Sequence, residues 1–321
     1  MLIYNITHAD LDGVGCSILM YQALKNKNFY GHEYQHTLAG YNLFLDTNKF
    51  YSKLEKNGPT HLIITDMNVP AEIIENLLEF DFIKSILYID HHQTVNFEKI
   101  DELKEKYKEK FICIIDDTYC ATKLVCNYLK SKKLLNNDYD FFADIVDTYD
   151  RWQTEGPLFK SHAFPMNDLY QKYGYTSFFS RFKTPFVEFN NNDRKVLKEI
   201  NAERLKYFKN TSKKYLTKID NFILIVTNPE GQYINEITLA YPDYSVYLVL
   251  KQRYVSDWVT FSIRIKDPNI SLLDIKEDFA KIWDKDIEIG GHTFAGGFGT
   301  KVEYIEEFLE KFVEMLQKKY K

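Results

Sequence analysis

Cysteine is scarce: four in 321 residues, at Cys16, Cys113, Cys120 and Cys126. None forms a Cys-x-x-Cys pair, so the chain offers no zinc knuckle, and nothing suggests a disulfide framework. No window approaches the ~18 apolar residues of a membrane span. The start, Met-Leu-Ile-Tyr-Asn-Ile-Thr, lacks the basic stretch and long apolar core of a secretory signal. Internal repeats and low-complexity tracts are absent as well. There is no positive excess: the net charge is −5. That argues against a non-specific grip on long DNA or RNA and leaves room only for a short nucleic acid in a local basic pocket. Together these absences set the expectation of a soluble protein in a reducing, cytoplasmic setting, away from any membrane.

What is present is enough apolar sequence, 45% of residues, for real cores. The length implies two domains, because single cores rarely grow past ~250–300 residues. Short apolar runs at 2–7, 31–38, 61–65, 85–89 and 111–115 read as strands. Helical stretches follow them at 14–25, 45–56, 70–80, 97–110, 119–132 and 138–149. This alternation predicts βαβ units and a parallel sheet. Residues 152–192 are rich in Phe and Tyr and read as helical pieces. A charged helix over 193–216, capped by Asn192, joins a second α/β pattern. There, strands are expected at 222–227, 244–252 and 258–266, the last two pairing antiparallel. Helices are expected at 232–241, 271–282 and from Val302 onward. The predicted organisation is a catalytic domain over 1–192, a linker helix over 193–218 and a smaller α/β domain over 219–321.

Polar clusters punctuate the strand ends. His8-Ala9-Asp10-Leu11-Asp12-Gly13 follows the first strand, Asp66 the third, Asp90-His91-His92 the fourth, and Asp116-Asp117 the fifth. In a parallel sheet these ends share one edge, so residues 8–12, 66 and 90–92 are expected to converge. His8, Asp10 and Asp12 are two apart, and in extended backbone all three would face one side. The bland alternative is a polar turn, with aspartates capping the next helix and the histidines on a wet loop. The combination favours chemistry. Carboxylates with imidazoles suit an ion such as Mn²⁺. Two ions ~3.5–4 Å apart, sharing a carboxylate, make water acidic enough to attack near neutral pH. Burying so many acids without a cation would be very costly.

In order and spacing, His8-x-Asp10-x-Asp12, Asp66, Asp90-His91-His92 and a later Asp resemble the four motifs of the DHH phosphoesterase superfamily. Gly290-Gly291-His292-Thr293-Phe294-Ala295-Gly296-Gly297-Phe298 resembles the glycine-rich signature of the DHHA1 domain, with Ile289 in place of the first glycine of the fuller form. The resemblance implies a two-domain DHH–DHHA1 architecture, with a Rossmann-like parallel-sheet domain first. Thr7 to Cys16, Tyr149-Asp150-Arg151-Trp152 and Met166-Asn167-Asp168-Leu169-Tyr170 look most like the nanoRNase B type, which degrades very short RNAs.

Carried over by position, the resemblance implies one ion on His8, Asp10 and Asp66, and a second on Asp12, Asp66, His91 and Asp150. Asp66 would bridge them. Asp150 fits the Asp-x-Trp pattern better than Asp147. Asp90 would orient His91, and His92 would face the scissile phosphate. The second domain would grip substrate through Arg264, Gly290, Gly291, His292, Gly296 and Gly297. Glycines let a phosphate approach backbone, and a helix N-terminus at the cluster would favour an anion. Tyr170, Tyr173, Phe178 and Phe182 are open between core packing and base stacking. The implied enzyme is a hydrolase with two Mn²⁺, or Mg²⁺ or Co²⁺ on the same ligands. It would cut short single-stranded RNA or dinucleotides to nucleoside 5′-monophosphates, as monomer or homodimer. The alternatives are a linear or cyclic dinucleotide phosphodiesterase, a 3′-phosphoadenosine 5′-phosphate phosphatase, or an inactive nucleotide-binding regulator. A RecJ-like exonuclease and a family II pyrophosphatase fit less well, the latter because it lacks the Gly-Gly-His element.

Overall fold

Apolar residues in the first strands point alternately to two sides, and that alternation shapes the N-terminal half. In a computed structural model describing residues 2–26, 33–39, 47–56, 58–92, 96–210, 215–227, 236–252 and 257–321, the chain divides into two compact units, Met1–Leu197 and Lys198–Lys321. Residues 31–32, 45–46, 211–214 and 232–235 of expected elements, and residues 253–256 of the expected connection between two strands, lie outside the described residues.

The first unit runs β1 (Leu2–His8), α1 (Leu11–Asn26), β2 (Glu33–Ala39), α2 (Thr47–Lys56), β3 (Thr60–Thr65), α3 (Ala71–Glu79), β4 (Ile83–Asp90), α4 (Phe97–Lys106), β5 (Phe111–Ile115), α5 (Ala121–Ser131), α6 (Asp140–Asp150) and α7 (Phe164–Phe182). Its sheet has the order β2-β1-β3-β4-β5, and every pairing is parallel. Ile3, Ile63 and Ile89 enter one core with α1, α5, α6 and α7. Leu2, Tyr4, Ile6, Leu62, Ile64, Ile86 and Tyr88 enter the other with α2, α3 and α4. Helices on both faces explain why these strands read as continuous apolar runs. The aromatic stretch is resolved in favour of packing. Tyr170, Phe178 and Phe182 belong to the first core, and Tyr173 donates to Asp193 Oδ1 at 2.9 Å.

Helix α8 (Asn191–Asn210) carries the chain out of this unit. Its cap is Asn190 rather than the expected Asn192. Asn190 Oδ1 accepts from Asp193 N at 2.9 Å, and Asp193 Oδ2 accepts from Asn190 N at 2.9 Å, a reciprocal pair of the capping-box kind.

The second unit holds β6 (Leu216–Ile219), β7 (Ile223–Thr227), α9 (Ile237–Ala240), β8 (Val246–Gln252), β9 (Trp258–Ile265), α10 (Leu272–Ala280), β10 (Ile287–His292), β11 (Ala295–Lys301) and α11 (Ile305–Tyr320). The sheet order is β10-β11-β9-β8-β7-β6. Only β7 and β8 pair in parallel; the other pairings are antiparallel, including the expected β8–β9 pair. Strand β6 was missed, since the expected helical stretch ran to 216 and the linker assigned to it to 218. The glycine-rich stretch is a hairpin, β10–β11, and no helix starts within it. Helix α10 begins beside its turn, but Leu272 N already donates to Thr293 O at 2.8 Å and Leu273 N to Ser271 Oγ at 3.2 Å. The anion-favouring helix end expected at the cluster is therefore otherwise engaged.

Candidate metal centre

In the order β2-β1-β3-β4-β5, the chain winds one way from β1 and the other way from β3. The carboxyl ends of those strands flank the switch point where open α/β sheets collect ligands. His8 ends β1, Asp66 follows β3, and Asp90-His91-His92 closes β4. Asp66 has φ +55°, in the left-handed region that Asp and Asn enter more readily than other side chains. Its N–H donates to Ile89 O at 3.1 Å, pinning the turn to β4.

The side chains converge on Asp66. His91 Nε2 lies 3.2 Å from Asp66 Oδ1 and 3.6 Å from Asp12 Oδ2. His91 Nδ1 lies 3.7 Å from Asp150 Oδ2. His8 Nδ1 bonds Asp10 Oδ2 at 2.7 Å and stands 4.0 Å from Asp66 Oδ2. Three overlapping ligand sets result, His8–Asp10–Asp66, Asp12–His91–Asp150 and Asp66–Asp90–His91–His92, each with donor atoms within 4.8 Å of one another. Asp147 is turned elsewhere: its Oδ1 accepts from Cys120 N at 2.7 Å.

The residues 8–12 meet for a different reason than alternation in an extended chain. β1 stops at His8 and α1 starts at Leu11, so Asp12 reaches the centre from the first turn of a helix. Asp10 Oδ1 caps that helix by accepting from Gly13 N at 2.9 Å. Asp12 is clamped from below. Its Oδ2 accepts from Ala121 N at 2.8 Å and its Oδ1 from Thr122 N at 2.7 Å. Sequence reasoning missed this role of α5. The readable signal was its start: Cys120 occupies the N-cap position and makes no side-chain capping bond, so the orphan N–H groups had to find acids elsewhere.

Gly15 lets α1 close on this clamp, since a Cβ there would overlap Thr122 Oγ1. Gly15→Ala is expected to destabilise the protein by about 1–3 kcal/mol through overpacking and to weaken metal binding, read by urea melts and metal titration. Unchanged affinity in the folded variant would show that Thr122 does not hold Asp12 in its binding position.

Asp90 is fully buried. Its Oδ1 accepts from His92 Nδ1 at 2.7 Å, and Tyr88 Oη lies 3.2 Å from its Oδ2. The sequence expectation set Asp90 behind His91; this bond makes it the support of His92.

The electrostatics describe a site crowded with acid. Burial, then Asp10 and Asp12, push the Asp66 carboxyl far up. Burial and Asp12 push Asp150 to about 8 against the pull of His91. Burial opposes charging of His8 and His91, yet neighbouring carboxylates raise both, Asp10 foremost for His8 and Asp150 for His91. Burial also works against ionised Asp10 and Asp90, but their histidine partners hold both low. Asp66 Oδ2 is buried with no hydrogen-bond partner among the described residues. A buried oxygen without a partner among crowded acids is what a divalent cation would satisfy, so the donor set fits metal.

The sequence matches the DHH family, N-terminal domain, over residues 1–149. The chain carries a DHH domain. Two curated relatives are more distant. One is a 3′,5′-cyclic-nucleotide phosphodiesterase of Helicobacter pylori, 24% identical over 49% of this chain and 45% of the relative. Another is oligoribonuclease NrnB of Bacillus subtilis, 29% identical over 51% of this chain and 40% of the relative. The chain thus spans less than half the length of the relatives it matches. Among solved structures, a DHH-domain protein described as a member of a family of ribosomal proteins superposes with a TM-score of 0.68 at 16% identity, covering 98% of this chain and 86% of that one. That likeness establishes the fold across both units.

Within the second unit, the remaining sequence-predicted residues gather along one set of strands. Gly290 pairs with Gly297, Gly291 with Gly296 and His292 with Ala295. Ala295 in turn pairs with Arg264, whose Nη1 donates to Ile263 O at 2.8 Å. A pocket of about 600 Å³ between α10 and α11 is lined by Lys281, Lys311 and Lys319. Those lysines pair with Asp278 and Glu307, and no metal-ligating set lies there among the described residues. No described helix is long and apolar enough to cross a membrane.

Proposed function

We propose that this DHH protein is a metal-dependent phosphodiesterase that degrades short oligoribonucleotides to nucleoside 5′-monophosphates. The observation that carries the reading is the group of adjoining ligand sets, two of which share Asp66, whose second oxygen is buried with no hydrogen-bond partner among the described residues. One divalent ion would sit on His8, Asp10 and Asp66, and the other on Asp12, Asp66, His91 and Asp150. Bound there, such ions, Mn²⁺ by the mixed carboxylate–imidazole donor set, supply Lewis acidity that acidifies water and offsets charge on phosphorus.

The chain's own residues do the positioning. Asp12 cannot swing, because two backbone N–H groups of α5 hold its carboxylate. His92 Nδ1 pairs with Asp90 Oδ1 at 2.7 Å, which would hold the ring toward the scissile phosphate. In the second unit, the backbone of Gly290, Gly291, Gly296 and Gly297, with Arg264 beside it, offers a grip for a terminal phosphate. The names of the two curated relatives, an oligoribonuclease and a cyclic-nucleotide phosphodiesterase, support a phosphodiester substrate.

The test is a product time course with Mn²⁺ on 5′-labelled RNAs of two to about twenty nucleotides, with cyclic mono- and dinucleotides and 3′-phosphoadenosine 5′-phosphate in parallel. Fast cleavage of the shortest RNAs, fading with length, is expected. Preference for a cyclic nucleotide or the bisphosphate would overturn the substrate and keep the metal centre. No turnover by the metal-loaded protein would point to a binding role.

A further inference from the structure

The acid pair that follows β5, Asp116 and Asp117, takes no part in any of the ligand sets of the metal centre. These acids line a pocket of about 320 Å³ together with Ile115, Phe97, His91 and His92. The lining thus combines the histidine pair of the metal centre with an aromatic ring and two carboxylates. Small-molecule sites run from about 300 to 1,000 Å³. Phe97 is 51% exposed, high for an aromatic. It opens α4, but the cap of that helix is Asn96, which accepts from Lys99 N at 3.1 Å. Asp116 is fixed by accepting from Thr118 N at 2.7 Å through Oδ1.

Two carboxylates beside a phosphate site repel phosphate. The part of a substrate that suits this pocket is therefore uncharged, adjoins the scissile phosphate, and carries a flat ring with hydrogen-bond donors. In a nucleotide that part is the nucleoside.

We propose that this pocket is a nucleoside subsite, in which the base stacks on Phe97 and its N–H donors, or the ribose hydroxyls, meet Asp116 and Asp117. The proposal rests on the phosphodiesterase reading of the adjoining centre. Guanine is the base best served, since adjacent N–H donors on its Watson–Crick edge match a carboxylate.

The test compares kcat/KM with Mn²⁺ for 5′-phosphorylated dinucleotides of guanine, adenine and uracil, their 2′-deoxy forms, and methyl p-nitrophenyl phosphate, a diester with no nucleoside. In Phe97→Ala the dinucleotide-to-small-diester ratio is expected to fall about tenfold, the range of one base–aromatic stack, and Phe97→Tyr is expected to restore it. In Asp116→Asn and Asp117→Asn the guanine-to-uracil ratio is expected to fall about tenfold if the acids meet the base edge; a collapse of the ribo-to-deoxy ratio instead would place the ribose there. Melting temperature and Mn²⁺ content show that each variant is folded and loaded. Unchanged ratios in loaded variants would overturn the subsite and leave the phosphodiesterase standing. A wild type that hydrolyses no diester would remove the phosphodiesterase reading, and the subsite with it.

Discussion

Asp66→Asn is expected to lower phosphodiester hydrolysis by about 10³-fold or more while the protein stays folded. Shared Lewis-acid stabilisation is worth several kcal/mol, and each 1.36 kcal/mol is about tenfold in rate. The fold survives for a backbone reason: position 66 has φ +55°, and Asn tolerates that region as Asp does. Ala would add left-handed strain of about 1–2 kcal/mol and confuse the result. Free of metal, the Asn variant is expected to melt no lower than the parent, because it removes an acid that burial and Asp10 make costly to ionise. Single-turnover rates, metal content and melting curves check this together. Full activity in a folded Asp66→Asn protein would end the bridging role.

The second large effect is a pH dependence confined to the metal-free protein. Asp66 and Asp150 titrate above their ordinary 3.8, Asp150 at about 8, chiefly through burial. His8 and His91 titrate above 6.5, where the carboxylates outweigh the opposing effect of burial. A group raised in the folded state contributes stability fully present below its unfolded value and lost as pH rises through its folded one. All four act in the same direction, so stability is lost as the pH rises, from above 3.8 through about 8 for Asp150, from above 3.8 for Asp66 and from above 6.5 for the histidines. Asp10 and Asp90 are lowered, and their contribution is lost only as the pH falls below the carboxylate range. The metal-free protein should melt several degrees lower at pH 8 than at pH 5, at roughly 2–4 °C per kcal/mol. Divalent metal should abolish the slope and displace protons as it binds, because its ligands must be deprotonated. Melts with and without chelator, and calorimetry in buffers of different ionisation enthalpy, measure both. A metal-free melting temperature that is flat or rises toward pH 8 would contradict the crowding described here.

Convergence at the sheet edge was legible in the sequence, because parallel strands place their carboxyl ends together whatever the loops do. The cause was misread at residues 8–12, where a short polar segment says little about whether the chain extends or turns into a helix. The bland and chemical readings proved compatible: Asp10 caps α1 and Asp12 caps α5, and both stand in ligand sets. Long-range bonds such as Ala121 N to Asp12 span 109 positions, beyond any periodicity. The bond from Asp90 to His92 was hidden for another reason: it is local, two positions long, and neighbouring histidines give no sign of which one the acid turns to. The glycine hairpin was misread because glycine clusters punctuate helices and strands alike, and only cross-strand register tells them apart.

The clamp on Asp12 also orders how the proposed activity can be lost. Cys120, Ala121 and Thr122 present successive N–H groups, and Asp147 and Asp12 take all of them. Deleting the Asp12 carboxylate would therefore unseat the start of α5 along with a ligand. His8, whose side chain is 36% exposed at a strand end, pays no such penalty. In a lineage drifting from catalyst to binding protein, the histidine of the first motif can go early and cheaply. Asp12 should outlast the chemistry it serves, retained as masonry after the reaction is gone.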